Sequence, residues 1–356
     1  MTSETSTVAI TGCSGYIGTR LVERLASDES IRTIVGLDVH PPRTRHPKLV
    51  FDEVDVRSPA LAARLAGVDC VVHLAFVTGA GRAGDETQMR DVNVNGSQNV
   101  FKSAARAGVR RLVYTSSATV YGAHPDNEVP LTEESPLRAN LDFSYAAHKL
   151  EVEYVLRELR DELSETHLIV LRPATVLGPH ADSPWSHLLE QPVLFGVAGH
   201  MPPLQVVHED DVARALHWAV TTSEQGTFNL AAEGWLEGPE AVALSGRRVR
   251  FLPEPVAFGL AERMWRLGIS EVPPGYLHYA MHPWVVSTDK LAAAGFTCER
   301  GHAETLDETV AAARGDRAVR IGTRRVRRGD LLRGAAAGLG LAGAALALRS
   351  RRRPAA

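Results

Sequence analysis

A chain of 356 residues, 44% hydrophobic and 23% charged, with a formal net charge of −3, can bury a large core with a smaller lobe beside it, as a soluble enzyme does. Its three cysteines (Cys13, Cys70 and Cys298) are odd in number and widely spaced, which argues against a disulfide framework and places the chain in a reducing compartment. They form no metal-ligand set, and His187, His200, His208 and His217 lack metal-ligand spacing, so no metal is expected.

Met1 to Ser6 is short and polar, so no secretory leader is expected and the location read from the sequence is cytoplasmic. Thr7-Val8-Ala9-Ile10-Thr11 is a short β-branched run that predicts a buried strand. Thr11-Gly12-Cys13-Ser14-Gly15-Tyr16-Ile17-Gly18 follows, and then Ile17, Leu21, Val22 and Leu25 recur with helical period. Strand, glycine turn and helix form the setting a dinucleotide fingerprint requires. Gly12 permits the tight turn, Gly15 lets backbone N–H groups approach a pyrophosphate, and Gly18 lets the helix pack close to the strand.

A second strand, Arg32 to Leu37, ends at Asp38, twenty residues past Gly18. A carboxylate there accepts hydrogen bonds from the adenosine ribose and repels a 2′-phosphate, so NAD is expected rather than NADP, with Arg43 and Arg45 as the residues that argue the other way. Asp55-Val56 and the apolar run Val68 to Ala75 are placed to meet the adenine and the next loop. Arg111 to Thr115 and His167 to Arg172 read as central strands, with Ser144 to Leu163 as the helix between them. On that helix Tyr145 and Lys149 stand four residues apart on one face, so the ammonium can lower the phenol's pKa from about 10 and let it exchange a proton with an alcohol.

These motifs, with His73-Leu74-Ala75, Asn93-Val94-Asn95-Gly96 and Tyr114-Thr115-Ser116-Ser117-Ala118-Thr119-Val120-Tyr121-Gly122, resemble in content and order the extended branch of the short-chain dehydrogenase/reductases, which contains nucleotide-sugar epimerases and dehydratases. The resemblance covers residues 7 to 180, is thinner from there to about 310, and stops beyond that. It implies that Ser117 polarises the substrate oxygen, that Tyr145 is the acid/base, and that Lys149 binds the nicotinamide ribose and tunes the tyrosine. It further implies that Tyr16, Ile17, Leu74, Ala75, Asn93, Ser116 and Pro173 contact the cofactor. The fold implied is α/β, a Rossmann-type doubly wound parallel sheet with a smaller C-terminal substrate lobe. The boundaries expected are an NAD-binding domain over 1–172, a lobe over 173–316 whose segments from about 205 to 231 return to the core, and an arginine-rich tail over 317–356.

The activity implied is NAD-dependent oxidoreduction or epimerisation of a secondary alcohol or ketone, with a nucleotide sugar as one substrate. Two features count against the sugar nucleotide. Pro202-Pro203-Leu204-Gln205 stands where these epimerases offer an arginine, and Thr175 takes the place of an asparagine. An apolar substrate, as in hydroxysteroid dehydrogenases and flavonol-type reductases, is therefore the competing expectation, and a catalytically silent NAD-binding sensor or scaffold is the third. Ala118-Thr119 supplies no carboxylates of the kind dehydratases use. The partners implied are a small-molecule substrate and a second copy of the chain in a homodimer.

The tail carries eleven arginines and one acid, a net of +10, which leaves −13 on the rest of the chain. Its uncharged stretch Gly334 to Leu348 would span about 22 Å as a helix, short of the roughly 30 Å hydrocarbon core. Two expectations follow for the tail, a solvated extension and a contact with anionic membrane surfaces through its arginines. Nucleic acid is not an expected partner, because the tail lacks interleaved aromatics.

Overall fold

The structure is a computed structural model that describes residues 6–78, 86–191, 193–270, 272–315, 318–321 and 324–327. The chain opens with β1 (Ser6–Thr11), α1 (Tyr16–Ala26), β2 (Ile31–Asp38), β3 (Leu49–Glu53), α2 (Leu61–Arg64) and β4 (Cys70–His73). A long helix follows in three parts, α3 (Glu86–Arg90), a π turn (Asp91–Asn95) and α4 (Gly96–Arg106), and leads to β5 (Arg111–Thr115) and a 3₁₀ turn (Ala118–Tyr121). Then come α5 (Ser144–Glu158), β6 (His167–Pro173) and β7 (Thr175–Leu177). The remainder comprises α6 (Pro184–Glu190), β8 (Val193–Val197), β9 (Val206–His208), α7 (Glu209–Thr221), β10 (Gly226–Leu230), α8 (Gly238–Ser245), β11 (Arg248–Leu252), α9 (Glu254–Arg266), a 3₁₀ turn (Pro274–Ala280), α10 (Asp289–Ala293) and α11 (His302–Gly315). Two short strands, β12 (Ala318–Ile321) and β13 (Arg324–Arg327), pair as an antiparallel hairpin.

Seven strands form one parallel sheet in the order β10-β6-β5-β4-β1-β2-β3. Alternation along each strand feeds two separate cores, because successive side chains leave opposite faces. Val8, Ile10 and Val113 join Leu21, Leu25 and Leu216 on the face covered by α1 and α7. Ala9 and Leu112 join Phe101, Val152 and Leu156 on the face covered by α4 and α5. Side chains such as Ile10, Leu21 and Phe101 are fully buried, a state that stabilises the fold by roughly 1.5–3 kcal/mol per large apolar side chain. The sheet is therefore the doubly wound Rossmann type expected from the sequence.

Several elements differ from expectation. The helix that carries Tyr145 and Lys149 stops at Glu158 rather than running to Leu163; Leu159 N–H still bonds to Val155, but beyond it the backbone continues as turns, with Leu159 and Leu163 buried against the second core. The segment after Gln205 does return to the core, where Val207 and Val212 pack with Ile10 and Val113, but its strand β9 pairs with β7 in a two-stranded parallel sheet of its own and not in the main sheet. The π turn is invisible to a periodicity of 3.6. It adds one residue per turn locally, a feature often found at functional sites, and it carries Asn93. Part of the arginine-rich tail is ordered into the β12–β13 hairpin, whereas the stretch Gly334 to Leu348 lies outside the described residues. Among the described residues, no helix is long and apolar enough to cross a membrane.

Candidate active site

The glycine turn fits a pyrophosphate for reasons visible in its backbone. Gly12 has φ +76°, and a Cβ there would lie 2.7 Å from Ala75 N; a Cβ on Gly18 would lie 2.2 Å from the Gly12 carbonyl oxygen. Neither position tolerates a side chain, because what it would meet is backbone. Gly15 is the N-cap of α1, with no side-chain cap and no acid in the first turn. The first N–H groups of α1 are thus left for an anion at the positive end of the helix dipole.

From this turn a cavity of about 1100 Å³ runs across the C-terminal ends of the sheet strands, the usual position for ligands in open α/β sheets. Of the residues expected at the site, Gly12, Gly15, Tyr16, Ile17, Gly18, Leu74, Ser116, Ser117, Tyr145, Lys149 and Pro173 line it together. Asp38, Asp55, Val56, Ala75 and Asn93 do not. Asp38 sits at the end of β2, where its carboxylate accepts hydrogen bonds from the Ser14 and His40 backbone N–H groups, both at 3.0 Å. A carboxylate has about four acceptor positions, so two remain on Asp38, while Arg43 and Thr44 reach the cavity wall nearby. Asp55 is held by Arg57, and Val56 packs under Gly96. Asn93 is fully buried and grips the loop after β4, accepting from Val77 N–H at 2.7 Å and donating to Val77 C=O at 3.0 Å.

At the centre of the cavity β5 delivers Ser116 and Ser117, and α5 delivers Tyr145 and Lys149. Lys149 donates to the Thr115 carbonyl at 2.7 Å, and its ammonium stands 3.6 Å from the centre of the Phe76 ring. Burial pushes its pKa down to about 7, with Glu153 opposing. Burial pushes the Tyr145 phenol up to about 12, opposed by its hydrogen bond with the Ser117 hydroxyl. This corrects the expectation that Lys149 lowers the phenol's pKa. The lysine lies 5.8 Å from the Tyr145 ring centre, over its face, and the group that eases ionisation of the phenol is Ser117. Sequence spacing placed both side chains on one helix face but could not supply the desolvation of either.

Beneath these groups lies a buried polar network that motif reading missed. Glu153, one turn beyond Lys149, takes a bidentate pair from Arg172 at 2.9 and 2.6 Å and a hydrogen bond from Ser116 at 2.6 Å. Arg172 also donates to the Tyr121 hydroxyl at 2.7 Å, which donates in turn to Asn229 at 2.7 Å. A period-four reading continued past Tyr145 and Lys149 would have reached Glu153. The far end of the cavity is walled by Phe143, Trp185, Tyr276 and Trp284, with Trp185 4.5 Å from Tyr276 and 6.2 Å from Trp284 between ring centres. Gln205 is buried and bonds to backbone at Gly234 and Val286, so its role in the described structure is to hold the lobe together.

Residues 8–231 match the model of the NAD dependent epimerase/dehydratase family, and the chain belongs to that family. The match makes it an NAD-dependent enzyme of the epimerase/dehydratase type. The uncharacterized protein Rv0501 of Mycobacterium tuberculosis is 32% identical over 261 residues, which cover 71% of this chain and 68% of that relative. UDP-glucose 4-epimerase 2 of Oryza sativa subsp. japonica is 31% identical over 216 residues, 55% of this chain and 50% of the relative. Among solved structures, the UDP-glucose 4-epimerase of Thermus thermophilus in complex with NAD superposes with a TM-score of 0.67 at 24% identity, covering 87% of this chain and 99% of the other. DesIV, a dTDP-glucose 4,6-dehydratase from Streptomyces venezuelae with NAD bound, also gives 0.67 at 24% identity over 87% of this chain and 98% of the other. These structural likenesses bear on the fold.

Proposed function

We propose that this enzyme interconverts a secondary alcohol and its ketone on a sugar nucleotide, with Tyr145 as the proton-transfer group, Ser117 as the hydrogen-bond donor to the reacting oxygen and Lys149 as the residue that seats the nicotinamide ribose. The observation that carries the reading is the convergence of the Ser117 hydroxyl, the Tyr145 phenol and the Lys149 ammonium on one cavity that starts at the glycine cradle. The glycine turn and Lys149 would hold NAD, which would supply hydride transfer at the alcohol carbon in either direction. Tyr145, in its phenolate form, accepts the alcohol's proton as the C–H bond breaks, becomes the neutral phenol and gives the proton back in the reverse direction, while Ser117 stabilises negative charge on the oxygen.

The sugar-nucleotide class is supported by the rice relative, named a UDP-glucose 4-epimerase. A second reading, an apolar alcohol or ketone, is favoured by the aromatic wall of Phe143, Trp185, Tyr276 and Trp284 and by Gln205 and Thr175 standing where sugar-nucleotide epimerases carry other residues. Incubating the NAD-loaded enzyme with UDP-glucose or UDP-galactose, and following both the products and the absorbance of reduced cofactor, separates the two. Interconversion without accumulated NADH supports the first. Inertness to both sugars, together with NADH formation from a steroid or flavonoid alcohol, replaces it with the second.

A further inference from the structure

The Ser117 hydroxyl sits in a hydrogen-bond arrangement that fixes where its proton goes. Its oxygen accepts from the Thr119 hydroxyl at 2.9 Å and from the Thr119 backbone N–H at 3.2 Å. A hydroxyl has two acceptor positions and one donor, so both acceptor positions are filled by a single residue. What remains is the Ser117 O–H, and the neighbour it faces in the cavity is the Tyr145 phenol. Thr119 is itself buried, at 4% exposure, and its hydroxyl makes no other hydrogen bond in the described structure. Its backbone is pinned from the opposite side, where the buried Tyr279 hydroxyl donates to the Thr119 carbonyl at 2.9 Å.

We propose that Thr119 is a positioning residue for the reaction, holding Ser117 as an obligate donor into the cavity, toward the Tyr145 phenol or, once substrate is bound, toward its reacting oxygen. The proposal rests on the Ser117 and Tyr145 roles given above. With the Thr119 hydroxyl removed, the Ser117 proton is free to rotate toward an alternative acceptor, and the donor is lost for part of the time at the moment negative charge develops. Preorganised donors matter because they need no reorganisation during the reaction. Direct removal of such a donor costs about 10²–10³-fold in rate; misorienting it through a neighbour should cost about tenfold, which corresponds to roughly 1.4 kcal/mol.

Thr119→Val keeps the shape and the backbone N–H but removes the hydroxyl, and Thr119→Ser restores it. On the NAD-loaded full chain with UDP-glucose and UDP-galactose as probes, Thr119→Val is expected to lower kcat about tenfold with KM and NAD affinity little changed, and Thr119→Ser to recover most of the rate. A carbon-13 label on the phenol carbon of tyrosine, with the Tyr145 signal assigned by its loss in Tyr145→Phe, gives a readout that needs no substrate: the signal should shift in Thr119→Val and return in Thr119→Ser. Full activity and an unmoved Tyr145 signal in Thr119→Val overturn the proposal, as does a loss that Thr119→Ser fails to repair. If Tyr145→Phe retains its rate, the underlying catalytic assignment falls instead. If neither sugar turns over, the labelled phenol decides alone.

Discussion

The two ends of the cavity are held in different ways. Around β5, α5 and β6 the wall is fixed by directed bonds: Thr119 to Ser117, Lys149 to the Thr115 carbonyl, and Ser116 and Arg172 to Glu153. At the far end a group of rings forms part of the wall among polar side chains such as Thr175, His180 and Glu190, with Trp185 against Tyr276 and Trp284, and Phe143 edge-on to Tyr276. Directed bonds set single atoms to within tenths of an ångström. Ring packing sets a shape and tolerates change in the ligand. On the proposed function, the contrast assigns proton transfer to the sheet side and choice of substrate to the lobe.

The largest effect that can break this comparison is expected at Tyr145, the proposed proton-transfer group. Tyr145→Phe keeps the ring packed against Phe76 and Phe143 and removes only the hydroxyl, so turnover should fall by about 10²–10⁴-fold. NAD affinity, measured by titration, should stay within a few-fold. A variant that keeps more than a tenth of the rate would move the proton transfer to another group.

Next in size is the support beneath the site. The Glu153–Arg172 pair is nearly fully buried, with side-chain exposures of 5% and 3%. Glu153→Ala leaves the Arg172 charge without its partner, a change that destabilises proteins by roughly 3–5 kcal/mol. Urea unfolding of the two forms measures it, and a loss below about 1 kcal/mol would mean that water or another acid takes over the arginine.

Lys149 allows the same contrast to be tested through pH. Its pKa falls from 10.5 in the unfolded reference to about 7 in the fold. Between those values the unfolded chain binds the proton that the folded chain has released, so stability rises with pH across that window, by at most about 1.4 kcal/mol per unit. Below pH 7 both states are protonated and the burial cost is felt in full. Lys149→Met should remove this contribution, so that the difference in unfolding free energy between wild type and variant, measured without added NAD, shrinks as pH rises from 7 to 10. A difference independent of pH would show that the lysine stays charged in the fold.

The sheet and its glycine turn were legible in the sequence because they follow local rules. β-branched runs such as Thr7 to Thr11 and the close backbone approaches at Gly12 and Gly18 leave little choice of residue. Tyr145 and Lys149 were legible through helical spacing. Their protonation was not, since desolvation depends on Phe76 and on burial by segments far along the chain. Glu153 and Arg172 are 19 residues apart and meet only once the sheet has formed. Trp185 and Trp284 are 99 positions apart in the sequence and meet only because the lobe folds back on itself, so their joint role in the cavity had no local signature.

The smallest expected effect lies in that lobe. Trp185 is the second residue of α6, whose start is fixed by the Ser183–Ser186 capping box with Pro184 at the first turn, and its ring is only partly buried. Trp185→Ala should therefore leave the backbone of α6 and the NAD site in place while removing one face of the substrate wall. Loss of one aromatic contact is worth roughly 0.5–1.5 kcal/mol beyond the area it buries, which predicts a KM raised about tenfold with kcat reduced much less. Steady-state kinetics and an NAD titration on the same preparation check it. If kcat falls as far as KM rises, the ring helps set the reacting geometry, and the division between a fixed chemical end and an adjustable recognition end fails at this residue.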